Sequence, residues 1–163
     1  IDIQSAVGKG TAVSVRLPSC IDVEVPELEI GKVPEAPRSR LLVVEDDEDI
    51  CHFFAHFLEG QHDVETVSDG REALDAFTPG RYDVALIDLG LPGMPGDQLA
   101  LEIRERDAAL VTVLVTGWDL EKDDPRLSAF DFWLKKPLKN LNHVKGVIGS
   151  AIAFHQTKAN ASS

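Results

Sequence analysis

Leu41-Leu42-Val43-Val44-Glu45-Asp46-Asp47 and Val84-Ala85-Leu86-Ile87-Asp88 decide how this chain folds. Each is a short apolar run, rich in β-branched residues, that stops abruptly on carboxylates. Two further runs behave alike: Val111-Thr112-Val113-Leu114-Val115 ends on Thr116, and Phe132-Trp133-Leu134 ends on Lys135-Lys136-Pro137. Continuous apolar runs of this length, bounded by turn signals, read as strands buried on both faces of a parallel sheet. In such sheets ligands bind in the crevice beyond the carboxyl ends of the strands. Acids, a hydroxyl and an amine that are distant in sequence should therefore converge on one edge.

Working outward, strands are expected near 40–45, 63–67, 83–88, 111–116 and 131–135. Helices are expected near 48–59, 70–77, 96–106 and 139–155, with a fifth near 122–129. The first helix carries Ile50, Phe53, Phe54, Phe57 and Leu58 toward a core and stops at Gly60. Ser68-Asp69-Gly70 caps the second, and the third points Leu99, Ile103 and Leu110 inward. Alternating β and α elements with short connections give an α/β fold, a parallel sheet covered on both faces by right-handed crossovers.

Ahead of this pattern, residues 1–18 alternate as two strands around Gly8-Lys9-Gly10-Thr11, a β-hairpin appendage. Residues 19–39 hold Pro26, Pro34 and Pro37 among many acids and read as an extended linker. The domain proper spans 40–157, and 158–163 form a tail. The chain opens on Ile1 and its only methionine is Met94, so we read it as a piece of a longer protein.

At 163 residues there is room for one sizeable core plus an appendage. The net charge of −12 disfavours nucleic-acid binding, which needs Lys and Arg on phosphates. No apolar run is long enough to span a membrane and no leader is visible. Cys20 and Cys51 lack metal-like spacing and fit reduced thiols in a cytoplasmic compartment, with any membrane anchor upstream in the parent.

Glu45, Asp46 and Asp88 would crowd at neighbouring strand ends, which is costly unless a cation joins them. Hard oxygen donors suit Mg²⁺ or Mn²⁺, and such an ion also stabilises charge on a transferring phosphoryl group. Asp88 is the candidate nucleophile, since a carboxylate can carry a phosphoryl group as an acyl phosphate. Lys136 would pair with the phosphoryl oxygens. Thr116 would donate its hydroxyl, while Gly117 leaves room for a donor to approach. Pro92, Gly93, Pro95 and Gly96 make the segment after Asp88 a turn. Read alone, the acidic run 45–49 is equally a helix cap, and a Trp such as Trp133 is more often core. His52 and His56 have a metal-compatible spacing but no third ligand. Gly8-Lys9-Gly10-Thr11 lacks the spacing of a Walker loop.

At these residues the chain resembles the receiver domain of two-component response regulators. Val43-Val44-Glu45-Asp46-Asp47 resembles the acidic pair after the first strand, with Glu45 and Asp46 in register. Ile87 to Gly96 resembles the segment around the phosphoaccepting aspartate. Thr116-Gly117 and Lys136-Pro137 match the remaining signature positions. The resemblance implies a five-stranded sheet in the order 2-1-3-4-5, a flavodoxin-like three-layer fold. It further implies phosphorylation of Asp88 from a phosphohistidine, with Mg²⁺ held by Glu45, Asp46, Asp88 and the backbone carbonyl of Gly90. It makes Thr116 and Trp133 the switch residues, and it places a cis bond between Lys136 and Pro137. Such a fragment dephosphorylates itself but is not a stand-alone enzyme.

The segment between Thr116 and Trp133 is short for the family and is interrupted by Pro125, so a stunted fourth helix is expected. Ser5 to Thr11, followed by a strand ending Leu17-Pro18, is similar to the last glycine box and final strand of histidine-kinase ATP-binding domains. A receiver after that segment points to a hybrid sensor histidine kinase. The expected partner is a phosphohistidine-bearing kinase or phosphotransfer domain. Exposed strand edges in 1–18 also allow a homodimer. Two alternatives stand. One is a phosphatase of the haloacid-dehalogenase type, although Gly90 occupies the place of that family's second aspartate. The other is a receiver-like interaction module that no longer takes phosphate.

Overall fold

The computed structural model describes residues 2–6, 10–14 and 38–161. The chain divides into two compact units, Ile1–Ala36 and Pro37–Ser163. In the first, β1 (Asp2–Ala6) pairs antiparallel with β2 (Gly10–Ser14), with Ile3 opposite Val13. The hairpin turn at Gly8-Lys9, the strand end at Leu17-Pro18, Cys20 and the linker up to residue 37 lie outside the described residues.

The second unit is a five-stranded parallel sheet with helices on both faces. Its strands are β3 (Arg40–Val44), β4 (Asp63–Val67), β5 (Val84–Asp88), β6 (Val111–Thr116) and β7 (Phe132–Lys135). They lie in the order β4-β3-β5-β6-β7, that is 2-1-3-4-5 within the domain, the flavodoxin-like arrangement. The order reverses at β3, so the crevice beside β3 and β5 is the topological switch point of the sheet.

Alternation along the strands divides the core in two. Leu41, Val43, Val84, Leu86, Val113 and Leu134 face α1 (Glu48–Leu58) and α4 (Leu141–Ala161), meeting Phe54, Leu58, Val144 and Ile148. Leu42, Val44, Ala85 and Ile87 face α2 (Gly70–Ala76) and α3 (Gly96–Arg106), meeting Leu74, Leu99 and Ile103. Each fully buried Leu, Ile or Val stabilises the fold by about 1.5–3 kcal/mol. Of the expected α1 core residues only Phe54 and Leu58 are fully buried. Ile50, Phe53 and Phe57 pack half-exposed along the cluster's margin.

Local signals set the helix starts. Asp47 caps α1, its carboxylate accepting from Asp49 N at 2.9 Å and Ile50 N at 3.4 Å. Asp69 caps α2 by accepting from Arg71 N at 2.7 Å and Glu72 N at 3.0 Å. Gly60 ends the α1 connection with φ +77°, a conformation that suits glycine.

The stunted fourth helix expected near 122–129 is a short 3₁₀ helix, Pro125–Ala129. Pro125 lacks an N–H and starts the turn, Asp124 caps it through Arg126 N at 3.0 Å, and Phe130 is already extended. The last helix continues past 155 to Ala161 and takes in residues 158–161, which had read as a tail. Its final turns carry little apolar period. They are held instead by Lys158, whose ammonium reaches the Leu110 carbonyl at 3.3 Å and Asp131 at 3.4 Å.

Candidate functional site

β3, β5, β6 and β7 deliver the predicted residues to one edge of the sheet. Glu45 follows β3 and is buried, with its backbone N–H fixed on Val67 O at 3.0 Å. Asp46 beside it is exposed. Asp88 is the last residue of β5 and is buried. One oxygen from each of these three carboxylates lies within 4.8 Å of the others.

Lys136 reaches into this group from beyond β7. Its ammonium is 2.8 Å from Asp88 Oδ1 and 2.8 Å from Glu45 Oε1. Glu45 Oε2 is also 2.7 Å from that nitrogen, but the direction of approach serves Oε1. Oε2 is consequently a buried oxygen without a well-directed donor, unique in this among the described residues. Asp88 Oδ2 accepts the N–H of Gly90 at 2.6 Å. Burial opposes the charge on Lys136, yet its bonds to Asp88 and Glu45 outweigh that and hold its pKa above the ordinary value. Burial also raises the Glu45 carboxyl, with Lys136 pulling it back and Asp88 adding to the rise.

Three clustered carboxylates carry more negative charge than one ammonium offsets, and an under-bonded buried oxygen is part of the set. An all-oxygen site with one exposed member is the donor chemistry of a hard divalent cation that keeps some of its water. The residues present fit such an ion.

Thr116 ends β6, buried, one strand from Asp88. Its Oγ1 accepts the Trp118 N–H at 3.1 Å, which leaves the hydroxyl proton free to donate. Its carbonyl accepts from Lys136 N at 2.8 Å, so hydroxyl and lysine are tied through the backbone. Gly117 is exposed, and a methyl group there would stand 3.9 Å from Lys136 Cβ. The Lys136–Pro137 peptide is cis. Trp133 is not among the clustered groups. It is 56 % exposed and lines, with Thr116, Trp118, Leu120 and His143, a cavity of about 380 Å³.

Two contributors escaped the sequence reading. Trp118 borders Gly90 beside Asp88; its signal was only its place two residues after Thr116, where an N–H can close a turn on a hydroxyl. Lys135 is exposed, yet it binds the carbonyls of Gly117 at 3.2 Å and Trp118 at 2.7 Å and pairs with Asp119 at 2.6 Å. His52 and His56 lie on α1, with His56 Nδ1 3.0 Å from the His52 carbonyl. No metal-like group among the described residues includes either. Cys51 is a free thiol near the Glu45 carbonyl, pushed up by burial and by the neighbouring acids.

The profile of the response regulator receiver domain matches residues 41–142, and the chain belongs to that family. Regulatory protein VanRB of Enterococcus faecalis is 33% identical over 105 residues, covering 61% of this chain and 46% of VanRB. The chain thus spans about half the length of such curated relatives. Among solved structures, the response regulator TrrA of Thermotoga maritima in complex with Mg²⁺-BeF matches with a TM-score of 0.63 and 29% identity. That match covers 69% of this chain and 98% of TrrA. TrrA is also seen in complex with the histidine kinase ThkA. The receiver domain of the sensor histidine kinase PA1611 from Pseudomonas aeruginosa, with magnesium in its active-site cleft, matches at TM-score 0.64 and 26% identity. It covers 71% of this chain and 98% of that domain. Among the described residues no helix is long and apolar enough to cross a membrane.

Proposed function

We propose that residues 40–161 act as a phosphoacceptor in a two-component phosphorelay, with Asp88 as the acceptor. The observation that carries this reading is the Lys136 ammonium, 2.8 Å from Asp88 Oδ1 and bridged to buried Glu45, at the switch point of the sheet. In the transfer, the phosphorus–nitrogen bond of a phosphohistidine breaks and a phosphorus–oxygen bond to Asp88 forms. The imidazole keeps the electron pair and takes a proton from water. Lys136 follows the developing negative charge on the phosphoryl oxygens, and the Thr116 hydroxyl donates to one of them.

Glu45, Asp46, Asp88 and the Gly90 carbonyl would hold Mg²⁺ or Mn²⁺, which supplies charge neutralisation at the phosphoryl group. The magnesium in the TrrA and PA1611 structures supports this assignment. New bonds to Thr116 would then bias the domain between two packings. Thr116 and Trp133 line the same cavity, which supports Trp133 as the residue reporting that change on the surface.

The finer reading is that the parent is a cytoplasmic-facing hybrid histidine kinase. Support comes from the glycine box and strand pattern in 1–18, with the acidic linker 19–39 behind it, and from the likeness to a receiver that belongs to a sensor histidine kinase. The donor would be a phosphohistidine on that kinase or on a separate phosphotransfer domain. Incubation with Mg²⁺ and acetyl phosphate, followed by intact-mass measurement, tests the acceptor role. A transient adduct of one phosphoryl group that Asp88→Asn abolishes is expected. No adduct on the wild-type protein refutes the reading. The hybrid origin is tested with the full-length parent and labelled ATP, which should label a histidine first and Asp88 afterwards.

A further inference from the structure

The turn between β4 and α2 contributes no ligand to the site, yet it touches both halves of it. At one end the Val67 carbonyl accepts the Glu45 N–H at 3.0 Å. Three residues on, the Gly70 N–H donates to the Pro92 carbonyl at 3.2 Å, inside the loop that follows Asp88. Pro92 O also accepts from Met94 N at 2.8 Å, so one carbonyl closes the loop's own turn and ties it to α2. Gly70 is buried, and a methyl group there would stand 2.5 Å from Met94 O and 3.2 Å from Met94 Cβ. Only the bare backbone of glycine allows this approach. The Asp69 carboxylate supplies a second point of contact. Its Oδ1 caps α2, and the group lies against Gly93, where a methyl group would stand 2.6 Å from Oδ2 and 2.8 Å from Oδ1. Gly93 also has φ +73°, so it suits glycine on both counts. From this seat the loop runs back to Gly90, whose N–H holds Asp88 Oδ2 at 2.6 Å, and forward to Gly96, whose N–H returns to Leu89 O at 3.1 Å.

We propose that Asp69 and Gly70 are positioning residues for the divalent cation: they brace the loop of residues 90–96 against the end of β4 and so set where the Gly90 carbonyl stands relative to Glu45 and Asp46. The inference rests on the assignment of Glu45, Asp46, Asp88 and the Gly90 carbonyl as the metal's ligands. Asp69 is not one of the carboxylates grouped around Asp88, so its effect is on the placing of other groups. A loop that offers a single backbone oxygen gives up affinity to conformational entropy if the ion has to order it on arrival. Here it is ordered beforehand. Val67 fixes the segment that bears the acids and Gly70 the segment that bears the carbonyl, so both take their position from one short turn.

The test is thermal unfolding of the whole chain across a Mg²⁺ series, in which the rise in melting temperature over chelator gives the dissociation constant by mass action. Gly70→Ala should weaken Mg²⁺ binding by about tenfold, the low end of what partners behind metal ligands contribute. Asp69→Ala should weaken it by a smaller factor, and Asp69→Asn, which keeps a capping oxygen, should restore most of the affinity. Ala73→Gly, within α2 but outside the brace, is the control. It should lower the melting temperature in chelator and leave the dissociation constant at the wild-type value, a separation that a merely structural role would not produce. A wild-type dissociation constant in either Gly70→Ala or Asp69→Ala overturns the brace, as does an Ala73→Gly constant weakened as much as theirs. Should Gly70→Ala not fold, the two Asp69 variants decide alone. If Mg²⁺ does not raise the melting temperature of the wild-type protein, the metal assignment falls and the brace falls with it, an outcome distinct from the others.

Discussion

Replacing Lys136 by Met removes the cation that two buried carboxylates share while keeping most of the side-chain volume. At an effective dielectric of about 20, Coulomb's law gives each contact near 2.8 Å roughly 6 kcal/mol before desolvation. Most of that is cancelled by the cost of taking the ammonium out of water, and breaking buried pairs costs about 3–5 kcal/mol in practice. The Lys136 side chain is 18 % exposed, so the lower end applies, about 3 kcal/mol. For a domain of this size the melting temperature should fall by about 10 °C in chelator.

Two further observations tie that loss to charge rather than packing. Mg²⁺ at a hundred times its dissociation constant should return about 2.7 kcal/mol. The loss should also shrink in acid. In the variant, Glu45 loses the hydrogen bond and the charge of Lys136, two of the three influences that held its burial-raised pKa down, so the folded state binds a proton more readily than the unfolded chain. Stability from a raised carboxyl is present below its ordinary value of 4.5 and is lost as pH rises through the folded value. Lys136→Met should therefore be closest to wild type near pH 4.5 and furthest above the folded value. The assay is thermal unfolding across pH with and without Mg²⁺, with Lys136→Met/Glu45→Gln closing the double-mutant cycle. A loss that is pH-independent and indifferent to Mg²⁺ would refute the electrostatic reasoning.

Glycine positions supply a paired test. At Gly96 a methyl group would overlap the Asp88 carbonyl oxygen and come within 3.0 Å of Ile87 Cγ2, so Gly96→Ala should cost about 2–3 kcal/mol in urea unfolding. The same change at Gly146, exposed on α4 with nothing within 4 Å, should add about 0.5–1 kcal/mol. Tyr82 is the single tyrosine, and burial, aided by Glu65, pushes its phenol up to about 12 from 10.0. Phenolate absorbance should rise about 12 in native protein, and this group's stability should be lost as pH climbs from 10 through 12. Burial lowers the His62 pKa below 6.5, and its Nδ1 faces the Ser39 N–H at 3.4 Å. The unfolded chain then takes the proton first, so stability should drop as pH falls below 6.5, and His62→Gln should flatten that slope in chemical denaturation.

The strands were legible because a doubly covered parallel sheet writes itself as uninterrupted apolar runs, and each here stops within a residue of its observed end. Convergence of Glu45, Asp46, Asp88, Thr116 and Lys136 followed from the rule that parallel strands present their carboxyl ends together. The 3₁₀ turn was half-legible: Pro125 announced an interruption, but the fork of Arg126 on the Asp124 carboxylate depends on a side-chain geometry that no period encodes. Trp118 was invisible for a related reason, since Gly90 belongs to a separate loop and Arg126 reaches the indole only through the geometry of the 3₁₀ turn. The end of α4 was misread because Lys158 holds it by polar contacts to Asp131 and Leu110 rather than by an apolar stripe.

The two adjacent lysines after Leu134 are engaged in different tasks: Lys136 spans the carboxylates, while Lys135 grips the loop after Thr116. Sliding the last strand by one residue would put one lysine in the other's place and leave one of the two sets of oxygens without a partner. The pair thus works as a key with two unlike teeth, accepting a single alignment of β7 against β6. A change of length in this connection should for that reason be tolerated only between residues 120 and 130, where it can be absorbed without turning the key.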